Sequence, residues 1–229
     1  MNDKEFFSLW QKIGIPCKSH PWHGVEIGKH APDCLTVYIE IVPTDTVKYE
    51  LDKVSGHLRV DRPQRYSNVC PTLYGLIPQT YCGPSVGEYS ASLLNRPGLM
   101  GDEDPLDICV LTEKSITHGD ILLEAIPIGG LRMIDGQEAD DKIVAILKGD
   151  TFQEQWKEIK DCPLPLIERL MHYFLTYKDA PGSEKKHCEI THVYGREEAH
   201  EIIRRSQRDY LAKFGQLQAQ LASLGSTLN

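Results

Sequence analysis

A two-residue alternation runs through Leu35-Thr36-Val37-Tyr38-Ile39-Glu40-Ile41-Val42. It predicts a strand with Leu35, Val37, Ile39 and Ile41 on one face and Tyr38 and Glu40 on the other. Val47-Lys48-Tyr49-Glu50-Leu51 repeats the pattern, with Lys48 and Glu50 emerging together opposite Val47, Tyr49 and Leu51. The turn Asp52 to Gly56 and the returning stretch His57 to Arg62 make these a predicted β-hairpin. A short apolar segment follows from Val69 to Ile77, interrupted by Pro71 and Gly75. From Cys82 to Gly101 the chain is rich in Gly, Ser and Pro and predicts a long loop, either a lid or binding surface or a plain surface insertion. Apolar runs at Ile108 to Leu111, Ile121 to Ile128 and Ile143 to Leu147 predict further strands, with an acidic turn from Arg132 to Lys142 between the last two.

The period then changes. Leu164, Ile167, Leu170, Met171 and Phe174 recur at three- and four-residue steps, and Pro163 and Pro165 suit the first turn of the amphipathic helix this predicts, which ends at Tyr177-Lys178. A second helix is expected from about Arg196 to Leu221, weakest at Gly215, and a short one around Phe6 to Ile13. Strands followed by helices make an α+β plan, with the strands curled into a small barrel. The expected organisation is one domain over 1–229, with an N-terminal arm 1–34, an inserted loop about 82–101 and a C-terminal helical extension about 196–229.

Composition narrows the function. The chain is 41% hydrophobic and 25% charged, an ordinary globular balance, and its formal charge of −8 argues against an extended nucleic-acid footprint. Seven cysteines, at 17, 34, 70, 82, 109, 162 and 188, contain no Cys-x-x-Cys pair and read as reduced thiols. No signal-peptide pattern opens the chain and no apolar run approaches the roughly 20 residues that span a bilayer, so a cytoplasmic protein without membrane contact is expected. His20, His23 and His30 lack metal-ligand spacing and read as solvated or capping residues.

The densest chemistry lies in Gly101-Asp102-Glu103-Asp104-Pro105-Leu106-Asp107-Ile108. Carboxylates this close need abundant water or a hard cation to stay ionised together. On this stretch alone a solvated acidic turn is the simpler reading. An EF-hand-like calcium module would use Asp102, Asp104 and Glu113, but Leu106 and Asp107 stand where that loop needs an oxygen ligand and its turn glycine, respectively. An OB-type nucleic-acid-binding module would need a basic, aromatic-lined face, whereas Lys48 and Arg62 are mixed with Glu40 and Glu50.

The run Asp102 to Asp107 resembles the Asp-x-Asp-Pro-x-Asp signature of the soluble family I inorganic pyrophosphatases. Ile39-Glu40-Ile41, Val47-Lys48-Tyr49-Glu50, Val60-Asp61-Arg62, Tyr74-Gly75, the Asp135/Asp140/Lys142 trio and Tyr177-Lys178 resemble further family segments in the family's order, from about Thr36 to Lys178. The resemblance implies a five-stranded OB-type β-barrel with flanking helices and Mg²⁺-dependent hydrolysis of pyrophosphate to two orthophosphates. It implies Asp102, Asp107, Asp135, Asp140 and Glu40 as metal ligands, with several Mg²⁺ ions per site, some arriving with the substrate. Asp104 is then the base for the attacking water. Arg62, Lys142, Tyr74, Tyr177 and Lys178 bind phosphoryl oxygens, Lys48 holds the opposite end and Glu50 positions lysine and water. A homo-oligomer is expected, of undetermined size. Where the family often has an active-site tyrosine four residues before the Tyr-Gly pair, this chain has Cys70, and Tyr66 or Tyr81 are candidates to replace its hydroxyl.

Overall fold

The structure, a computed structural model, describes residues 18–180, 182 and 186–227, with side chains through residue 216 of the final helix. The helix expected around Phe6 to Ile13 lies outside the described residues. The described residues form ten strands: β1 (Leu35–Ile41), β2 (Val47–Leu51), β3 (Leu58–Pro63), β4 (Leu73–Leu76), β5 (Met100–Gly101), β6 (Asp107–Leu111), β7 (Ile121–Asp135), β8 (Glu138–Ala139), β9 (Lys142–Leu147) and β10 (Cys188–Gly195). The helices are α1 (Pro84–Leu94), α2 (Phe152–Gln155), α3 (Leu164–Thr176) and α4 (Arg196–Thr227).

Five strands pair in a closed circuit, β1 with β4, β4 with β6, β6 with β9, β9 with β7 and β7 back to β1. Only the β6–β9 pair within it is parallel. Its strands are buried on both faces, which explains why β6 and β9 read as unbroken apolar runs. Ile108, Val110, Ile143 and Ala145 join Leu35, Val37 and Ile39 in one core with Ala199, Ile202 and Ile203 of α4. Cys109, Leu111, Val144 and Ile146 point the other way, into a second core completed by Ile167, Leu170 and Phe174 of α3. The β2–β3 hairpin forms a separate two-stranded sheet.

Three expectations are corrected. Ile41 does not share a face with Ile39: the β1–β4 register slips between them, pairing Ile39 with Gly75 and Ile41 with Tyr74, and Ile41 joins the second core. Glu40 is the extra residue of this bulge. Gly75 is required opposite it, because a Cβ there would lie 1.9 Å from the Tyr38 carbonyl oxygen. The acidic turn expected from Arg132 is shorter, since β7 runs unbroken to Asp135.

The third correction concerns the expected loop 82–101, which contains the eleven-residue helix α1. Its N-terminus looks uncapped in sequence because Gly83 carries no side chain. The cap comes instead from Asp209 of α4, whose carboxylate accepts the N–H groups of Gly83, Ser85 and Val86 at 3.1–3.2 Å. The edge strand β10, which pairs with β7, was not anticipated at all.

Candidate active site

One end of the ring, the β2–β3 hairpin and the C-terminal turn of α3 enclose a cleft of about 230 Å³. All thirteen sequence-predicted site residues line it: Glu40, Lys48, Glu50, Arg62, Tyr74, Asp102, Asp104, Asp107, Asp135, Asp140, Lys142, Tyr177 and Lys178. Strand order explains the convergence. Asp107 opens β6 directly opposite Lys142, which opens β9, in the parallel register. Tyr74 reaches across from β4 and donates its hydroxyl to Asp107 Oδ2 at 2.6 Å.

Local geometry aims the remaining groups. In the Asp102 to Asp107 segment, Asp102 Oδ1 accepts the Asp104 N–H at 3.0 Å, and Glu103 takes a left-handed φ of 64° that folds the turn between them. The Asp104 carbonyl accepts the Cys82 N–H at 2.8 Å, tying this turn to the start of α1. On the hairpin a second bulge pairs Lys48 with Arg62 and Tyr49 with Val60, leaving Asp61 as the extra residue. Asp61 holds both cations, Lys48 at 3.1 Å and Arg62 in a tighter contact.

Charge in the cleft is unbalanced. Eight carboxylates line it, the seven predicted acids plus Glu138, against the five cations Lys48, Lys53, Arg62, Lys142 and Lys178, a formal excess of three negative charges. Burial, and then the neighbouring Asp107, push Glu40 up to about 8, partly offset by the Leu51 N–H that it accepts at 2.6 Å. Burial and then Asp140 push Asp102 well above the usual carboxylate range. Asp140 is also raised, by burial first and then Asp107, although Lys142 opposes the shift. Burial disfavours the Lys142 ammonium, but Asp107 and Asp140 outweigh it and hold the pKa well above an ordinary lysine. Burial pushes the Tyr177 phenol up to about 12, keeping it a donor at neutral pH.

The carboxylates are held apart by lysines: Lys142 contacts Asp107 and Asp140, Lys178 contacts Asp135 and Lys53 contacts Asp104. Among the described residues no three His, Cys, Asp or Glu side chains are gathered into a ready metal cage. The donor set still fits a hard divalent cation. Mg²⁺ takes one or two carboxylates and keeps several waters rather than needing an all-protein cage, and the raised Asp102 and Asp140 mark where positive charge is short.

Four further groups line the cleft that the sequence reading passed over: Tyr49, Lys53, Glu138 and Tyr173. Lys53 lies in the predicted hairpin turn, where a lysine is unremarkable. Tyr173 falls on the buried stripe of α3, one turn before Tyr177, a spacing that was available to find it. Its hydroxyl accepts from Gln64 Nε2 at 3.2 Å. Neither proposed substitute for the hydroxyl missing at Cys70 is in place: Tyr66 is 66% exposed, and Tyr81 packs against Phe214 and contacts Lys213. Cys70 itself is fully buried in the second core. The EF-hand alternative fails on placement, since Glu113 follows the far end of β6, beside Lys114.

A family model described as "Pyrophosphatase: Inorganic pyrophosphatase" matches residues 37–211. The chain is 52% identical over 200 residues to an inorganic pyrophosphatase of Chlamydia caviae, covering 85% of this chain and 92% of the relative. It is 35% identical over 192 residues to soluble inorganic pyrophosphatase 3 of Arabidopsis thaliana, covering 84% of this chain and 79% of the relative. The crystal structure of the Thermus thermophilus inorganic pyrophosphatase superposes with a TM-score of 0.69 at 26% identity, over 84% of this chain and 99% of that one.

Proposed function

This chain belongs to the inorganic pyrophosphatase family and hydrolyses pyrophosphate to two orthophosphates; we propose that it does so in the cleft between the strand ring and the β2–β3 hairpin, with Mg²⁺. The observation that carries this reading is the confinement of eight carboxylates and five cations to one small cleft. A tetra-anionic substrate needs the cations, and its metal ions need the carboxylates.

Asp102, Asp107, Asp135, Asp140 and Glu40 are the groups that would hold Mg²⁺. Bound there, Mg²⁺ neutralises phosphoryl oxygens and acidifies water for attack. Each lysine that balances a carboxylate becomes free for substrate once that carboxylate is otherwise neutralised. Lys142 and Lys178 then bind phosphoryl oxygens beside the Tyr74 and Tyr177 hydroxyls, while Arg62 and Lys48 turn from Asp61 to the substrate. Asp104 takes the proton of the water that attacks phosphorus in line, and Glu50 orients the lysines. The lower exposure of Lys142, 2% against 33% for the Lys178 side chain, makes it the more firmly fixed of the two cations.

The same reading takes the five-strand ring as the OB-type barrel, the whole chain as one catalytic domain, and a cytoplasmic homo-oligomer as its setting. Among the described residues no helix is long and apolar enough to cross a membrane. The test is phosphate release from pyrophosphate, ATP and a phosphate monoester with and without Mg²⁺. Release from pyrophosphate should be Mg²⁺-dependent and should fall about 100- to 10,000-fold in Asp104→Asn with the fold retained. Near-normal turnover in that variant removes Asp104 from the role.

A further inference from the structure

Among the described residues the largest fully buried side chain is charged. Arg132 sits near the C-terminal end of strand β7, between the buried Leu131 and Met133, with no solvent exposure. Its Nε and one terminal nitrogen reach Asp141 Oδ1 and Oδ2 at 3.4 and 3.2 Å, a two-pronged contact between side chains that are both 0% exposed. The other terminal nitrogen lies 2.9 Å from Glu198 Oε1, in the first turn of α4. The guanidinium also stands 5.2 Å from the Tyr194 ring centroid and 5.6 Å from that of Tyr89, so α1, α4, β7, β10 and the residue that leads into β9 all meet at this one group.

The partner it grips separates two residues of the active site. Asp141 lies between Asp140 and Lys142 where the chain enters β9, and residues alternate across a strand. The backbone repeats the same arrangement across the ladder: Leu131 pairs with Lys142, and the Met133 carbonyl accepts the Asp140 N–H at 3.0 Å. Arg132 and Asp141 therefore meet on the rear of the sheet, and Asp140 and Lys142 face the cleft. Nothing in pyrophosphate hydrolysis needs an arginine on that rear side, and burying an ion pair is a poor way to gain stability.

We propose that Arg132, Asp141 and Glu198 are positioning residues, a charge clamp behind the active site that fixes the rotation of the strand entry and thereby aims the Asp140 carboxylate and the Lys142 ammonium into the cleft. The clamp ties α4 to the metal-binding wall, so the C-terminal helix is part of the active site's support and not an appendage. It rests on the assignment of the cleft as the site of hydrolysis. Groups that orient metal ligands from behind typically alter metal affinity by about 10- to 100-fold when removed.

The experiment is calorimetric titration of Mg²⁺ into the metal-free full-length protein, alongside kcat and KM for pyrophosphate. The paired replacement Arg132→Met with Asp141→Leu keeps the volume and removes both charges together, which buried ion pairs generally tolerate. It should melt cooperatively, bind Mg²⁺ about 10-fold or more weakly and lose kcat with little change in KM. Arg132→Lys keeps the charge without the planar fork, and should show the same direction to a smaller extent; it serves if the double variant does not fold. Asp140→Asn is titrated in parallel. An Asp140→Asn protein that binds Mg²⁺ as tightly as the unaltered chain overturns the assignment of the cleft and the clamp with it. A weakened Asp140→Asn beside folded clamp variants with unaltered Mg²⁺ affinity and kcat overturns the clamp alone.

Discussion

The two sides of the β7–β9 wall hold charge in opposite ways. On the rear, Arg132 and Asp141 are matched, interlocked and sealed from water. On the cleft side, Lys142 answers Asp107 and Asp140 at once, with Asp102 close enough to add to the crowding. The rear pair is matched in charge as it stands, with the Arg132–Glu198 contact close but outside hydrogen-bond alignment. The cleft arrangement is satisfied only when more positive charge arrives, and that deficit is what a metal-dependent enzyme keeps open. A fold can hold such strain because both cores, and the clamp behind the wall, fix the backbone that carries it.

The largest effect that would break this comparison is a difference in sign. Asp102→Asn removes one repelling carboxylate from the cleft, so turnover should fall by about 100-fold or more while the metal-free protein melts at a higher temperature. Asp141→Asn removes one partner of the sealed pair and should instead destabilise the protein by about 3 kcal/mol. Thermal melts of both in chelator decide it: equal destabilisation would mean that the two sides are not different in kind.

A smaller effect sharpens the same point. Mg²⁺ at a hundredfold excess over its dissociation constant should raise the unfolding free energy of the unaltered chain by about 2.7 kcal/mol, and by less in Asp102→Asn at the same concentration. Urea melts with and without Mg²⁺ measure this. No Mg²⁺ stabilisation at all would contradict a cleft short of positive charge.

The smallest effect separates both networks from the N-terminal arm. His23 stacks on Trp22 at 4.3 Å, faces Tyr210, Phe214 and His20, and bonds the Tyr210 hydroxyl through Nδ1 at 2.9 Å. Burial, and then His20, lower its pKa from 6.5 to about 4. In the unfolded chain it binds a proton more readily, so its contribution is present above 6.5 and is lost as pH falls through about 4. The urea midpoint should therefore decline over that window, and His23→Phe, which keeps the stacking, should flatten the decline without changing Mg²⁺ affinity. An unchanged slope would remove His23 from the account.

Much of the ring was legible because burial on alternate faces leaves a mark on every second residue. Leu35, Val37 and Ile39, and the unbroken run from Ile143 to Leu147, could be read directly. Helix α3 was equally plain from its three- and four-residue steps. By contrast α1 was taken for a loop, because the carboxylate that caps it stands on α4, far along the chain at Asp209. Strand β10 was missed because its edge position leaves a mixed pattern, Cys-Glu-Ile-Thr-His-Val-Tyr-Gly, that alternation does not distinguish from a loop. Tyr66 and Tyr81 were wrong because nearness in sequence to Cys70 says nothing about which way a turn faces.

The chain's own order of residues determined which groups could do the chemistry. Aspartates two and three apart, and a lysine two after an aspartate, are local facts that no fold alters, and resemblance at seven separated segments marked them as a set. Tertiary structure decided what each group is set against. Two bulges bring Glu40 to the cleft and set Asp61 against Lys48 and Arg62, parallel pairing lays Asp107 beside Lys142, and alternation sends Asp141 to the opposite face from its neighbours. Arg132 could have been suspected as a charge set between the apolar Leu131 and Met133, but its partner could not. Charge interactions depend on distance and on the exclusion of water, and both come into being only when strands remote in sequence close on one another.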